Sequence, residues 1–326
     1  MKILIVGAGA VGLVYGRHLA LGGAEVSFLV KPKYAEDCRK GFALYPLNKG
    51  RTAPAERFEG FGVCTSAQEA GQHSWDMIWL CVSSTALRAG DWLKELLAVR
   101  GQAVVVGMQP GVEDRAHVLQ WCPEEKLVWG LISMISYQSP LPGEDRGEGV
   151  AYWFPPLGPS PFGGAQAKAV VKALKVGGCP AKVSKNITSQ GNLGAAAFIP
   201  QIAALEGAGW RFDGLRQGPW LGLSCEAARQ SVAVVAAQEG IKVPFGAAFL
   251  RPLPMKVLVR VAPWVIPLPL EVYLKYHFVK VGDQTRDMLG TYARLGKTHS
   301  LPVNAIEALR GRALGAVPKA ALLTEG

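Results

Sequence analysis

Lys2-Ile3-Leu4-Ile5-Val6-Gly7-Ala8-Gly9-Ala10-Val11-Gly12 is the stretch that decides the fold. Ile3 to Val6 form a short apolar run of strand character. Three glycines follow at the spacing GxGxxG, and then Val11, Val14, Tyr15 and Leu19 recur at helical intervals. Strand, turn and helix in that order make an anion cradle, because the first N–H groups of a helix have no partner within it and its dipole is positive there. Gly7 permits the tight turn, Gly9 lets a pyrophosphate approach the backbone, and Gly12 lets the helix pack close to the strand. The run Gly7, Ala8, Gly9, Ala10, Val11 and Gly12 is the candidate dinucleotide-binding loop, and a plain glycine-rich turn is its bland alternative.

Outward from this motif, Ala24–Val30, Met77–Val82 and Ala103–Val106 are further apolar runs separated by helical or loop segments. Leu127–Ile135 and Gly149–Phe154 can add strands. A Pro- and Gly-dense loop over 155–164, a helix over 166–175 and a last strand at 181–184 follow. Such alternation predicts an α/β fold, a Rossmann-type doubly wound sheet covered by helices on both faces. Beyond Lys185 the signal is helical, over 187–208, 221–239, 270–295 and 303–314. The expected division is a dinucleotide-binding domain, 1–184, and an all-helical substrate and dimerisation domain, 185–326.

The end of the second strand sorts the cofactors: an acidic side chain there holds a ribose 2′-hydroxyl, a basic one a 2′-phosphate. Val30 is followed by Lys31-Pro32-Lys33. Lys31 and Lys33 therefore favour NADPH, although strand-end lysines also occur merely solvated. Val82 and Ser83 follow one strand, and Gln109 and Pro110 follow another, at the sheet edge where α/β folds hold ligands. They are expected to flank the nicotinamide half of the cofactor, with turn capping as the alternative for Ser83 and Gln109.

Composition narrows the partners. The chain has 326 residues with 35 basic and 25 acidic, a formal charge of +10, which favours anionic partners. The basic residues are scattered and carry no nucleic-acid motif, so a small anionic substrate is expected and nucleic acid is not. Six dispersed cysteines without CxxC pairing, and an opening apolar run too short for a signal peptide, give the expectation of a cytoplasmic protein. Phe249–Leu270 is apolar but broken by five prolines and charged by Arg251, Lys256 and Arg260. It reads chiefly as a proline-jointed segment, buried or lid-forming, with association with an anionic membrane surface as the less expected alternative. The five histidines are too dispersed to suggest a metal site, and none is assigned.

With these residues in hand the chain resembles the ketopantoate reductase (2-dehydropantoate 2-reductase) family. The likeness rests on Met1–Gly12, Lys31, Gln109-Pro110-Gly111, Ile199-Pro200 and Leu301-Pro302-Val303-Asn304, in order and spacing over nearly the whole length. It implies an NADPH-binding Rossmann domain joined to a helical domain, a homodimer, and reduction of a 2-oxo acid or a related carbonyl or imine. It also implies departures. Pro110 stands where the family has an Asn, Gly191 where it has the proton-donating Lys, Ala195 and Ile199 where it has further Asn residues, and Gly282 where it has a substrate-holding Glu. A divergent member lacking the usual Lys and Asn is the expectation, with a catalytically lapsed NADPH-binding sensor or regulator as the alternative.

Two segments could replace the lost groups. Asn192, in the polar start of the 187–208 helix, is a candidate binding residue, with capping as its bland alternative. On a single helix over 270–295, His277, Lys280, Gln284, Asp287 and Thr291 would share a face. A desolvated Lys280 is the expected proton donor, His277 the second choice, and Asp283 or Asp287 would orient either one. A solvated polar stripe is the competing reading.

Overall fold

Ile3, Leu4, Ile5 and Val6 are all buried, so the strand they form, β1 (Lys2–Val6), belongs in the interior of a sheet covered on both faces. The computed structural model describes residues 1–315, which fall into two units, Met1–Thr188 and the chain from Ser189 onward. The first unit continues with β2 (Glu25–Leu29), β3 (Phe42–Pro46), β4 (Glu56–Phe58), β5 (Gly62–Cys64), β6 (Met77–Leu80) and β7 (Val104–Gly107). Then come β8 (Leu127–Gly130), β9 (Ile135–Ser139), β10 (Gly149–Trp153), β11 (Ser160–Gly163) and β12 (Ala181–Val183).

The main sheet has eight strands in the order β12-β11-β8-β7-β6-β1-β2-β5. From β5 to β8 neighbouring strands are parallel, while β11 pairs antiparallel with β8 and parallel with β12. The chain leaves β1 for β2 on one side and later returns to β6 on the other. The carboxyl end of β1 is thus the switch point at which such sheets bind ligands.

A smaller sheet, β4-β3-β10-β9, covers the far side of the opening helix Ala10–Leu21. This double coverage explains why the helix is so apolar. Tyr15 lies against Trp79 and Phe162 of the main sheet, with its hydroxyl 3.0 Å from Ser160 Oγ. Along the same helix, His18 stands edge-on to Tyr152 and Phe154 beside the smaller sheet. His18 Nδ1 donates to the Gly177 carbonyl at 2.7 Å, at the end of the helix Ala167–Val176. A Cβ at Gly177 would lie 1.6 Å from the His18 carbonyl oxygen, so only glycine allows this approach.

Several expected elements come out differently. Leu127–Ile135 is not one strand: β8 ends at Gly130 in the main sheet, where a Cβ would meet the Phe162 ring at 2.4 Å, and β9 starts the pairing with β10 in the smaller sheet. The expected loop over 155–164 contains β11, held by Phe162↔Gly130 and Gly163↔Trp129. β3, β4 and β5 carry no strong sequence signal and were not foreseen.

The second unit is helical in its described residues, built around Trp220–Gln238 with Ile187–Gly207 entering from the first unit. Gln230 organises one end: its Nε2 donates to Asn304 Oδ1 at 2.8 Å, and its Oε1 accepts from the Ala305 N–H at 3.0 Å. The Leu301–Asn304 turn is thereby fixed as the start of the helix Asn304–Gly315. The expected helix over 270–295 is two, Leu270–Lys280 and Gly282–Thr298, broken at Val281. Pro252–Val265 is an exposed helix, neither buried nor a set of proline joints. No single helix is long and apolar enough to cross a membrane among the described residues.

Burial holds the pKa of His18 below its usual value, against the opposing pull of its bond to Gly177. Burial and the nearby Lys280 ammonium do the same to His277. A base with a depressed folded pKa is neutral in both states above its unfolded value near 6.5, and its protonation favours unfolding as pH falls. The apparent Tm should therefore fall as pH drops from neutral through the folded pKa values, and His18→Gln should make that fall shallower in differential scanning fluorimetry. An identical pH slope in the variant would show that His18 carries none of the effect.

Candidate functional site

The three glycines differ in what surrounds them, and that difference assigns their roles. Gly7 has φ +96°, open to glycine at low cost, and a Cβ there would lie 2.9 Å from the Cys81 carbonyl oxygen. At Gly12 a Cβ would lie 2.2 Å from the Gly7 carbonyl and 3.2 Å from Ile5, so glycine is required for helix and strand to meet. Gly9 has ordinary backbone angles, φ −78° and ψ 178°, and nothing lies within 4 Å of its would-be Cβ. No packing constraint within the protein calls for glycine there. Gly9 is also the N-cap residue of the twelve-residue opening helix and provides no side-chain cap, so the first N–H groups of that helix have no side-chain acceptor from it. The residues present fit the pyrophosphate of a dinucleotide.

The neighbouring loops brace this turn. Val82 follows β6, and its Cγ1 would be 3.3 Å from a Cβ at Gly7. Ser83 caps the short helix Ser84–Leu87, accepting from the Ala86 N–H at 3.2 Å, with Thr85 Oγ1 3.0 Å away. This is its capping reading, made visible. Gln109 is buried, and its amide is engaged with the protein: Nε2 donates to the Leu80 and Val82 carbonyls at 2.8 and 2.9 Å, and Oε1 accepts from the Met108 N–H at 3.0 Å. Both amide protons are thus taken up by main-chain carbonyls within the first unit. Gln109 clamps the end of β7 to the end of β6. Pro110 is half-buried in the same turn.

Sequence reasoning missed the group that ties these loops together. Asp114 is fully buried; Oδ2 accepts from Ser84 Oγ at 2.6 Å and from the Gly111 N–H at 2.8 Å, and Oδ1 lies 3.2 Å from Arg88. Its signal was an acidic residue three positions after Gly111, which reads on its own as ordinary first-turn chemistry.

Lys31 and Lys33 are exposed just beyond β2, next to β1, where the Gly7 N–H donates to the Leu29 carbonyl at 2.9 Å. Lys33 Nζ stands 5.0 Å from the centre of the Tyr34 ring. No acidic residue occupies Val30 to Tyr34.

In the second unit the candidate residues do not form the expected stripe. The break at Val281 puts His277 and Lys280 on one helix and Asp283, Gln284, Asp287 and Thr291 on the next. Lys280 is not desolvated: it is exposed at a helix end, with Nζ 3.9 Å from the centre of the Tyr276 ring. Asp283 does not orient it, being 92 % exposed with Oδ1 3.7 Å from Arg286. His277 is half-buried between Tyr273 and Phe278. Asn192 is buried and donates to Glu239 Oε1 at 2.6 Å, so in this structure it joins two helices of its unit. Among the described residues no group of three or more His, Cys, Asp or Glu is arranged to hold a metal.

Residues 3–149 match the family model described as Ketopantoate reductase PanE/ApbA. Among curated proteins none matches the sequence. Solved structures match over almost the full length. A PanE/ApbA family ketopantoate reductase from Ralstonia eutropha JMP134 has TM-score 0.73 and 19% identity, covering 97% of this chain and 98% of the other. A D-mandelate dehydrogenase with NADH and anilino(oxo)acetate has TM-score 0.75 and 15% identity over 97% and 98%. A 2-dehydropantoate 2-reductase from Methylococcus capsulatus has TM-score 0.69 and 20% identity over 98% and 99%. At these identities the likeness is one of fold.

Removal of the Gln109 amide tests the clamp. Gln109→Ala leaves the Leu80 and Val82 carbonyls without a buried donor and should lower stability by about 2–4 kcal/mol in chemical denaturation. A loss below about 0.5 kcal/mol would show that these loops do not depend on it.

Proposed function

We propose, starting from the match of residues 3–149 to the ketopantoate reductase PanE/ApbA family model, that this chain is an NADPH-dependent oxidoreductase acting on a small anionic 2-oxo acid or a related carbonyl or imine. The observation that carries this reading is the open space in front of Gly9, at a helix start without a side-chain cap and at a sheet switch point. When bound, the nicotinamide supplies hydride to an electrophilic carbon; the protein's part is to bind, orient and manage charge. The N–H groups of residues 10–12 hold the diphosphate. Lys31, with Lys33 beyond it, meets the 2′-phosphate, and the loops at Val82–Ser83 and Met108–Gly111 shape the place of the nicotinamide. The formal +10 charge favours an anionic substrate.

Gly9→Val separates ligand space from packing space. It should leave the Tm of the free protein unchanged while weakening NADPH binding by at least about tenfold, read by fluorescence titration. A fall in Tm with unchanged affinity would place the need for glycine inside the protein. Lys31→Glu should weaken NADPH by about 10- to 100-fold and leave NADH nearly unaffected, since a charge-assisted contact of this kind contributes about 1.5–3 kcal/mol. Equal loss for both nucleotides would remove the 2′-phosphate assignment. The activity itself is tested by NADPH oxidation against a panel of 2-oxo acids; tight binding with no turnover across the panel would favour a sensor.

Of the second unit's candidates, His277 alone keeps surroundings suited to proton chemistry, a half-buried imidazole held neutral beside a cation. A neutral imidazole can donate its ring N–H to a carbonyl oxygen, polarising it for reduction. His277→Phe should lower kcat by at least about 100-fold with a small change in KM, and should remove the acid limb of the pH–rate profile. Undiminished turnover in the variant would exclude His277 from the chemistry.

A further inference from the structure

The helix Pro252–Val265 is organised against the usual rule for a surface helix. It packs on the helices Trp220–Gln238 and Phe212–Gln217, yet Val259 is its only buried residue. At helical spacing, Met255, Val259 and Ala262 form the inward strip. The outward stripe is apolar: Leu253, Val257, Val261 and Trp264 recur every three or four residues, with Trp264 89 % and Leu253 75 % exposed. Lys256 and Arg260, one turn apart, run along the edge of that stripe and are exposed. Phe245 and Phe249, packed edge-on at 6.2 Å, precede the helix and are also largely exposed. The segment is anchored from behind, where Arg229 Nη1 donates to the Leu250 carbonyl at 2.8 Å.

An apolar stripe of this kind on water needs a covering surface. Charge identifies it. Between Glu239 and Glu271 the sequence has no acidic residue, but it has Lys242, Arg251, Lys256 and Arg260. A second copy laid on this helix by a two-fold axis would bring these cations toward their own kind, with no carboxylate of the segment to meet them. An anionic bilayer surface satisfies both features: acyl chains take Leu253, Val257 and Val261, the indole of Trp264 sits at the headgroup level, and lipid phosphates pair with Lys256 and Arg260. The helix is too short to span a bilayer, and the next helix, Leu270–Lys280, bends away by 103°. We propose that Pro252–Val265 lies in the surface of anionic membranes and holds the protein there reversibly. Membrane-surface association stood as the minor alternative to a proline-jointed segment, buried or lid-forming, and the exposure of the apolar stripe now favours it.

Flotation of the full chain with vesicles tests this. The wild type should float with vesicles of mixed phosphatidylcholine and phosphatidylserine, and not with phosphatidylcholine alone at the same salt. Leu253→Glu/Trp264→Glu should reduce the bound fraction by at least about tenfold, and Lys256→Glu/Arg260→Glu should do the same. Because these side chains are exposed, the variants should keep the wild-type Tm, which confirms that they are folded. In addition, quenching by brominated lipid should fall when Trp264 is replaced by Phe. No flotation with anionic vesicles, or flotation indifferent to both double variants, would overturn the proposal. So would a concentration-dependent dimer in sedimentation that Leu253→Glu/Trp264→Glu dissociates, since a second copy would then cover the stripe.

Discussion

Everything in the first unit is arranged around the contact between the opening helix and the strand that precedes it. The helix enters the protein interior through a turn in which Gly12 meets the Gly7 carbonyl and Gly7 meets the Cys81 carbonyl. Any side chain at either position would force the helix away from the sheet. Because it stays close, the start of the helix lies beside the carboxyl ends of β1 and β6, and a helix start is the positive end of the helix dipole. Two sheets hold the helix in place, with Tyr15 on one and His18 beside the other. Gln109 and Asp114 fix the adjoining loops from behind. The site is therefore preorganised by groups that do not themselves face the ligand space.

How much of this the sequence displayed depends on how local each interaction is. The β1 turn and its helix were legible because strand run, glycine spacing and helical periodicity lie within twenty residues of one another. The smaller sheet was not: Leu44 of β3 pairs with Val150 of β10, more than a hundred positions away, and its strands are short and partly polar. Gln109 was read as a cofactor contact or a turn-capping residue, and its amide bonds the Leu80 and Val82 carbonyls, an arrangement the sequence could not display because a glutamine at a sheet edge serves a ligand and a backbone equally well. Asp114 gave no sign, because what it joins, Ser84, Arg88 and Gly111, is brought together only by the fold.

In the second unit the prolines misled. Pro252 and Pro254 fall in the first turn of their helix, where the missing N–H would have had no acceptor, so they start a helix that they seemed to forbid. The opposite error occurred at Val281, where a continuous helical pattern hides a break, and the stripe built on that continuity came apart. Asn192, read as a binding or capping residue, donates to Glu239, a residue 47 positions away that no local pattern places beside it. What remains from the sequence is the pattern of apolar helices and the Leu301–Asn304 turn, which Gln230 secures.

The central claim is that the first N–H groups of the opening helix receive the diphosphate of a nicotinamide dinucleotide. Titration of the isotope-labelled protein with NADPH, followed by amide nitrogen–proton correlation spectra, reads those groups individually. The expected result is that the largest, saturable shifts fall on the amides of Gly9, Ala10, Val11 and Gly12. Saturable binding that leaves these four amides in place, or no shift at any nucleotide concentration, would contradict the account.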